Sequence, residues 1–394
     1  MNSLDQLPNR GSDASVVSTA MPTDPTAIEL PPDLRPSDGR FGSGPSKVRP
    51  EAVAHLAEAA PTYLGTSHRR EGVRAVVRRI RDGLRTLYSL PDGYEVLLGN
   101  GGTTAFWDAA AFGLIERQCE HLVFGEFSGK FAAVTAGAPH LDDPVVVESP
   151  PGTHPEWKGS DADTFAMTHN ETSTGVTMGV ARPNAPEAFV IVDATSAAGA
   201  LPVDPDAFDV YYFAPQKAFA SEGGLWVALC TPAAISRIEE IGSTDRWQPP
   251  SLSLPIALEN SRLDQTYNTP ALTTLFFLCD TIEWMLDNGG LAWATARSQT
   301  SASTMYGWAE ARTFAAPFVQ KPSERSPVNA TIDFEGVQAD DIATALRANG
   351  IVDVESYRKL GRNQLRIAMF PAIEPDDIEI LTHAIDHIVE RLTP

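Results

Sequence analysis

The sequence predicts an α/β fold, with a large domain built on a mostly parallel sheet and a smaller α+β domain at the C-terminal end. Short apolar runs alternate with helical stretches at intervals of roughly 25–30 residues, the spacing of strands joined by right-handed helical crossovers. The chain has 394 residues, too many for one small core, so two domains are expected. These two observations define the fold class.

Changes in composition along the chain give the expected domain boundaries. Residues 1–25 are poor in apolar side chains and rich in Ser, Asp, Asn and Pro, so we expect a disordered tail. Residues 26–288 should form the large domain, with an N-terminal segment that packs on the small one. Gly289-Gly290 interrupts a helical stretch, so residues 289–394 should form the small domain.

The charge balance excludes some classes of partner. The chain has 30 Lys and Arg against 51 Asp and Glu, a net charge of −21. Such acidity argues against nucleic acid and anionic membranes as partners. No apolar run is long enough to span a bilayer, and the N-terminal region lacks the apolar core of a secretory signal, so we expect a cytoplasmic protein.

Metal binding is not expected. The three cysteines are far apart in the chain and form no zinc-ligand pattern. His383 and His387 are four residues apart on an expected helix, which is a ligand spacing, but no third ligand accompanies them.

Two apolar runs in the middle of the chain end in reactive side chains. Phe189–Val192 is followed by Asp193, and Val210–Ala214 is soon followed by Lys217, 24 residues after the carboxylate. Open α/β sheets bind ligands at the carboxyl ends of their strands. A lysine there can form a Schiff base, and a buried Asp can hold the protonated ring nitrogen of pyridoxal phosphate. On spacing alone, the alternative stays open that Asp193 is only a turn residue and Lys217 only a surface lysine.

A glycine turn suggests a place for an anion. A strand signal over Tyr94–Leu98 is followed by Gly101-Gly102-Thr103 and then by a helical run, Ala105–Ile115. The free backbone N–H groups and the dipole of a helix N-terminus both favour phosphate. The turn matches neither a P-loop nor a dinucleotide-binding fingerprint.

The other elements follow from periodicity and from turn residues. Residues 243–270 are rich in Pro and predict an irregular segment. The remaining predicted helices cover residues 50–60, 71–87, 271–288, 291–311, 339–348 and 375–392, and the remaining strands cover 121–126, 164–168, 225–229, 331–334 and 364–368.

Several motifs together resemble a known family. The pattern DATS…APQK…GG…LWVAL, which contains Asp193 and Lys217, resembles the lysine-bearing core of class V pyridoxal-phosphate aminotransferases of fold type I. The Gln216-Lys217 pair and the Ser67-His68-Arg69 turn are similar to those of phosphoserine aminotransferases. The resemblance covers roughly residues 38–392 and implies a homodimer with shared active sites.

The resemblance also implies roles in cofactor binding. Lys217 would carry pyridoxal phosphate, Asp193 would face its ring nitrogen and Thr172 of the Asn-Glu-Thr turn its ring oxygen. Thr103 stands where many members of the family have an arginine, which leaves open how the substrate phosphate is held on this side. The full implied set is Gly102, Thr103, Phe127, Thr172, Asp193, Gln216 and Lys217, joined by Asn268 and Thr269 from the partner subunit.

Substrate contacts are implied in the same way. Arg366 matches the arginine that grips the α-carboxylate, and Arg358 is a second candidate, whereas Arg362 is expected to be solvated. His68 and Arg69 would bind the distal phosphate or carboxylate of the substrate in the neighbouring subunit's site.

The implied reaction is reversible amino transfer between L-glutamate and 3-phosphohydroxypyruvate, which gives O-phospho-L-serine and 2-oxoglutarate for serine biosynthesis. A related phosphorylated precursor of pyridoxine is a second possible substrate. Another class V aminotransferase, of the alanine or serine–glyoxylate type, is the main alternative. A cysteine desulfurase would need a mobile reactive cysteine, but Cys279 lies in an apolar helical run. Two further alternatives are a protein that has the fold but no cofactor and a nucleotide-binding protein that uses the glycine turn.

Overall fold

The computed structural model describes residues 24–185 and 187–393. The strands are β1 (Glu95–Asn100), β2 (Cys119–Val123), β3 (Val145–Glu148), β4 (Thr164–Thr168), β5 (Asn170–Glu171), β6 (Val176–Thr177), β7 (Phe189–Asp193), β8 (Val210–Phe213), β9 (Leu225–Cys230), β10 (Ala315–Pro317), β11 (Asn329–Phe334) and β12 (Gln364–Ala368). The α-helices are α1 (Pro50–Tyr63), α2 (Glu71–Leu87), α3 (Gly102–Gly113), α4 (Glu126–Gly137), α5 (Pro232–Gly242), α6 (Leu254–Arg262), α7 (Leu272–Asp287), α8 (Gly290–Glu310), α9 (Ala339–Ala348) and α10 (Pro375–Leu392).

A seven-stranded sheet forms the centre of the molecule, in the order β1-β9-β8-β7-β4-β2-β3. All neighbours from β8 to β3 run parallel, whereas β9 is antiparallel to both β8 and β1. The predicted α/β fold with a mostly parallel sheet is confirmed.

The central strands are covered on both faces, which explains their continuous apolar sequences. In β7, Val190 and Val192 belong to a core shared with α2 and α7. Phe189 and Ile191 point to the other face and belong to a core shared with α3, α5 and α6. Ligand groups on this sheet are therefore restricted to the strand ends.

A second, antiparallel sheet of order β10-β11-β12 carries the C-terminal helices. The N-terminal segment packs against this part of the chain. Asn349 Oδ1 accepts from Leu30 N at 2.8 Å. Phe41 N donates to Val352 O at 3.3 Å, and Phe41 O accepts from Ala368 N at 3.0 Å. The division into domains at residue 288 stays a prediction, and the predicted tail lies outside the described residues except for its last two positions.

The strand predicted over residues 121–126 is wrong at its end. β2 stops at Val123, and Glu126 is already the first residue of α4. Ser128 Oγ accepts from Phe124 N at 3.0 Å and from Gly125 N at 3.1 Å, so it satisfies the backbone where the helix begins. Phe127 therefore lies in the first turn of a helix.

The segment over residues 243–270, predicted to be irregular, contains helix α6. Pro255 stands in its first turn, where a proline is tolerated. The buried residues Leu254, Ala257, Leu258 and Ser261 follow helical spacing and face the core beside β1 and α5. The prolines of this segment were therefore misread as evidence against a helix.

No helix in residues 24–185 and 187–393 is long and apolar enough to cross a membrane.

Candidate active site

A cavity of about 410 Å³ opens at the carboxyl ends of β4, β7 and β8, beside the first turn of α3. Its lining includes six of the residues predicted to hold a cofactor, namely Thr103, Phe127, Thr172, Asp193, Gln216 and Lys217. Gly102, the seventh residue implied for this subunit, begins α3 next to Thr103.

The Lys217 amine is buried inside this cavity. The side chain follows β8, and its Nζ donates to Ser43 O and lies 5.9 Å from the centre of the Phe127 ring. Burial lowers the pKa of Lys217 to about 7, and the nearby Arg366 cation acts in the same direction. A substantial fraction of the amine is therefore unprotonated and nucleophilic at neutral pH.

A loop from the N-terminal segment holds this lysine from the other side. Ser46 N donates to Gln216 O at 3.0 Å, and Ser46 Oγ donates to Lys217 O at 2.6 Å. Gly44 has a φ of +150°, and a Cβ at this position would lie 2.2 Å from Lys217 Nζ. Only glycine leaves room for the amine here.

Asp193 lies in the same cavity and is surrounded by hydrogen-bond donors. Its Oδ1 accepts from Thr195 N at 2.9 Å and from Thr195 Oγ1 at 2.5 Å. Its Oδ2 accepts from Tyr212 OH at 3.1 Å and from Trp107 Nε1 at 3.3 Å. Burial raises the pKa of Asp193, and these donors oppose that rise because they stabilise the charged carboxylate.

The Asn-Glu-Thr turn fixes the aromatic side of the cavity. Glu171 is fully buried, and its Oε2 accepts from Phe127 N at 3.1 Å and Ser128 N at 2.9 Å in the first turn of α4. A carboxylate there complements the free N–H groups and the dipole of the helix. Thr172 is held by a 2.8 Å bond from its Oγ1 to Ser196 Oγ. One turn thus fixes both Phe127 and a hydroxyl in the cavity.

The glycine turn before α3 has the geometry of an anion site. Gly101 and Gly102 have φ values of +108° and +70°, and Gly101 N donates to Gly224 O at 2.9 Å. Within the described chain, no side chain caps the N-terminus of α3, so its first N–H groups are available to an anion. Gln216 lines the same cavity, and its amide NH2 group can donate to an anion, whereas its amide oxygen is buried without a partner among the described residues.

The cavity residues fit pyridoxal phosphate. They supply an amine with a lowered pKa, a buried carboxylate, an aromatic ring and a helix N-terminus for phosphate. Each of these groups matches one part of that cofactor.

A second cavity of about 670 Å³ shares Gly44 and Pro45 with the first and contains Arg366 and Arg358. The Arg366 guanidinium lies 5.4 Å from the centre of the Tyr357 ring, and its Nε is buried without a partner in the described part of the chain. An unsatisfied buried cation is a receptor for a carboxylate.

The acidic side chains of this second cavity are already engaged. Arg347 lies 3.5 Å from the carboxylate of Asp353 and 2.5 Å from that of Glu355. These pairings weaken the repulsion of an incoming anion. Arg362, expected to be solvated, is exposed at the surface, where it pairs with Asp333 at 2.5 Å.

The remaining predicted residues form a separate cluster. His68 Nδ1 lies 3.3 Å from Thr269 Oγ1, and Asn268 lines a small cavity beside the glycine turn rather than the cavity of Lys217. Arg69 is exposed, and His68 Nε2 is buried without a partner among the described residues. Burial and the Arg69 cation lower the pKa of His68. We call His68, Arg69, Asn268 and Thr269 the distal cluster.

Sequence analysis missed three residues that touch Asp193, namely Trp107, Tyr212 and Thr195. Trp107 and Tyr212 lie in runs that read as ordinary helix and strand core, so periodicity gave no signal. Thr195, two residues after Asp193, has the spacing of a turn that hydrogen-bonds its own backbone, and this signal was available.

No group of three or more potential metal-ligating side chains occurs in the residues that the structure describes.

Comparisons with known proteins agree with the geometry. The family model described as aminotransferase class-V matches residues 158–359. A phosphoserine aminotransferase of Rhodococcus jostii is 56% identical over 366 residues, which cover 92% of this chain and 98% of that protein.

Solved structures share the fold. A phosphoserine aminotransferase from Cytophaga hutchinsonii has a TM-score of 0.81 at 24% identity and covers 89% of this chain and 99% of its own. A phosphoserine aminotransferase from Trichomonas vaginalis, solved with pyridoxal phosphate bound, has a TM-score of 0.75 at 20% identity, with coverage of 89% and 99%. The predicted fold type, enzyme class and family are confirmed, and the chain belongs to the phosphoserine aminotransferases, within the class V aminotransferase family.

Proposed function

We propose that Lys217, Asp193 and Arg366 carry out pyridoxal-phosphate-dependent amino transfer between L-glutamate and 3-phosphohydroxypyruvate, with O-phospho-L-serine and 2-oxoglutarate as products. The observation that carries this proposal is the Lys217 amine, whose pKa is lowered to about 7 by burial in the cavity that also holds Asp193. The phosphorylated precursor of pyridoxine would enter by the same route.

The residues of the first cavity would hold the cofactor. Lys217 would bind its aldehyde carbon, and Asp193 would face its ring nitrogen. The first N–H groups of α3 and the NH2 group of the Gln216 amide would bind its phosphate, while Phe127 would pack on its ring and Thr172 would bond the ring oxygen. When bound, the cofactor supplies an electron sink that stabilises negative charge at the substrate Cα.

Lys217 is also the acid and base of the reaction. Once the substrate amine has taken its place on the cofactor, the released and unprotonated Nζ would accept the proton from the substrate Cα, and the resulting ammonium would return a proton to complete the transfer. A pKa near 7 suits both roles, because neither protonation state is strongly disfavoured at neutral pH.

Arg366 orients the substrate for this proton transfer. A guanidinium binds a carboxylate through two parallel hydrogen bonds, which fixes the direction of the Cα–H bond. The unpartnered Nε of Arg366 and the boundary that its cavity shares with the cofactor cavity support this role. Arg358, which lines the same cavity, is a second contact for the substrate.

We propose that the distal cluster acts in the active site of a partner subunit. His68 and Arg69 would bind the distal phosphate or γ-carboxylate of the substrate, and Asn268 and Thr269 would bind the cofactor phosphate. The support is their position, because these residues contact one another and do not line the cavity of Lys217 in their own chain. The functional unit is then a homodimer.

The cytoplasmic location also belongs to this proposal. All three cysteines, Cys119, Cys230 and Cys279, are free and buried, as expected for a protein of a reducing compartment.

A half-reaction tests the function. The cofactor-loaded protein is mixed with O-phosphoserine, serine, alanine or cysteine, and the visible absorption band of the cofactor is followed. We expect O-phosphoserine to bleach the band at concentrations at least about 100-fold lower than the others, because only it engages the distal cations.

The same half-reaction distinguishes a phosphoserine aminotransferase from an alanine or serine–glyoxylate aminotransferase. Equal bleaching by alanine or serine would contradict the phosphoserine assignment and favour an alanine or serine–glyoxylate enzyme. Arg69→Met serves as the matched variant, and it should weaken the response to O-phosphoserine while leaving the slow response to alanine unchanged.

A further inference from the structure

Asp193 is bonded to two buried aromatic side chains that the proposed mechanism does not use. Trp107 Nε1 lies 2.9 Å from Tyr212 OH, and Tyr212 OH lies 3.1 Å from Asp193 Oδ2. Trp107 is 4% exposed and Tyr212 is 0% exposed, so water does not compete for these bonds. We call Trp107, Tyr212 and Asp193 the indole–phenol chain.

The chemistry of the three groups fixes the direction of every bond. An indole N–H can only donate, so Trp107 donates to the Tyr212 hydroxyl at 2.9 Å and, over a longer distance of 3.3 Å, to Asp193 Oδ2. That hydroxyl then has its own proton free to donate to Asp193 Oδ2. Thr195 N and Thr195 Oγ1 both donate to Oδ1, so each carboxylate oxygen accepts two hydrogen bonds. A proton on either oxygen would have to use a hydroxyl that now donates, Thr195 Oγ1 or Tyr212 OH, as its acceptor.

This arrangement disfavours protonation of Asp193. A proton on Oδ2 would point at the Tyr212 oxygen, which already accepts from Trp107. The tyrosine proton would then have no acceptor among the described residues, at a position with no access to water. An unsatisfied buried donor is costly, so the indole–phenol chain opposes the effect of burial on this carboxylate.

The indole–phenol chain is also held rigidly. Phe106 stacks on Tyr212 with ring centres 4.3 Å apart, and Phe131 lies parallel to Trp107 at 6.4 Å. Trp107 belongs to α3 and Tyr212 to β8, whereas Asp193 ends β7. The hydrogen bonds therefore connect the helix of the glycine turn with the two strands that carry the carboxylate and the lysine.

We propose that Trp107 and Tyr212 are positioning residues that keep Asp193 ionised and aimed at the ring nitrogen of the bound cofactor. This inference rests on the proposed function, in which Asp193 pairs with that nitrogen. It adds that the strength of the pairing is set by α3 and β8 and not by Asp193 alone.

The test compares two ligands on three variants. Tyr212→Phe and Trp107→Phe each remove one donor and keep an aromatic ring. Tyr211→Phe is the matched control, because Tyr211 is equally buried on the neighbouring position but bonds to His169. Equilibrium dialysis gives the apparent Kd of each cofactor-free protein for pyridoxal phosphate and for its analogue with carbon in place of the ring nitrogen.

We expect Tyr212→Phe and Trp107→Phe to bind pyridoxal phosphate about 10-fold more weakly than the unmodified protein, as for the loss of a hydrogen bond to a charged group. Both should bind the carbon analogue within about twofold of the unmodified protein, because that ligand has no nitrogen for Asp193 to engage. Tyr211→Phe should change neither Kd. The midpoint of thermal unfolding shows which variants are folded. If only one of Tyr212→Phe and Trp107→Phe is folded, that variant alone is enough to test the proposal.

Three other results would contradict the inference or the proposed function on which it rests. Equal loss of affinity for both ligands would mean that the two aromatic residues only support the fold, and the inference would be overturned. Unchanged affinity for both ligands would overturn it as well. If the unmodified protein does not distinguish the two ligands, the proposed role of Asp193 itself is wrong.

Discussion

The cofactor cavity and the distal cluster differ in how far one chain completes them. In the cavity, Lys217 and Asp193 each have buried partners supplied by the same chain. In the distal cluster, Arg69 is exposed and His68 Nε2 has no partner in the described part of the chain. The difference teaches that the groups proposed for the chemistry are built into the ends of a rigid sheet, whereas the groups proposed to select the substrate are carried by loops and, in the proposed dimer, act in the site of a second subunit.

The largest expected effect is the loss of activity on replacing Lys217, in the cavity that one chain completes. Lys217→Ala removes both the attachment point of the cofactor and the base that moves the Cα proton, so we expect amino transfer to fall by about 10⁴-fold. Steady-state turnover of O-phosphoserine measures it. Lys130→Met is the matched control, because Lys130 also lines the cavity but is half exposed beside Glu126. A similar loss in both variants would contradict a special role for Lys217.

Mixing two impaired variants tests directly whether the distal cluster acts in the site of a second subunit. Arg69→Met should lower kcat/KM for O-phosphoserine by about 100-fold, because a charged contact to the distal phosphate is lost. In a mixture of Lys217→Ala and Arg69→Met chains, mixed dimers contain one site with both native residues. Activity should then recover to about a quarter of the unmodified value, since half of the dimers are mixed and each has one native site. No recovery, although mixed dimers form, would show that Arg69 serves its own chain.

A smaller effect is expected from the loop over the lysine. Gly44→Ala places a methyl group where Lys217 Nζ lies, at a φ that other residues rarely adopt, so the loop must move away. We expect about a 10-fold loss of turnover and a lower thermal midpoint. Gly179→Ala is the control, because a Cβ there meets nothing within 4 Å. Gly44 contacts Lys217 of its own chain, so mixing Gly44→Ala with Lys217→Ala chains should not restore activity. Mixing Gly44→Ala with Arg69→Met chains should restore it, because the Arg69→Met chain carries both native Gly44 and native Lys217.

The smallest effect concerns pH. The unprotonated amine reacts with the cofactor, so the rate of cofactor incorporation should rise with pH and reach half its maximum near the Lys217 pKa of about 7. Arg366→Met removes a cation that favours the neutral amine, so this midpoint should move up by about one unit. Arg362→Met, at the surface beside Asp333, is the matched control and should leave it unchanged. A midpoint near that of an ordinary lysine in the unmodified protein would contradict the burial argument.

The sequence predicted the cofactor cavity better than its surroundings for a physical reason. Strands covered on both faces must be apolar, so Asp193 and Lys217 stood out at the ends of apolar runs. Trp107 and Tyr212 did not stand out, because a buried aromatic residue has the same pattern whether its polar atom bonds to a catalytic carboxylate or to a backbone carbonyl. Only tertiary structure brings the indole of α3 to the end of β7.

The other site residues could be predicted only from their resemblance to the family motifs. Phe127 lines the cavity as expected, although the strand predicted to end there stops at Val123 and a helix carries the ring. The distal cluster shows the limit of single-chain reasoning. Neither spacing nor periodicity could tell that His68 and Thr269 would contact each other and lie outside the cavity of Lys217.

The pairing of Phe41 with Val352 and Ala368 has a consequence for the order of folding. The loop that closes over Lys217 follows Phe41 directly, so its first end is anchored by residues that are synthesised long after it. During translation Ser46 of this loop can pair with residues 216 and 217 first, but Phe41 lacks its own partners until residues 352 and 368 have emerged. A chain truncated before β12 would keep the Ser46 contacts over its lysine but lose the Ala368 bond to Phe41, so we expect the cover to be held at both ends only after β12 has been made.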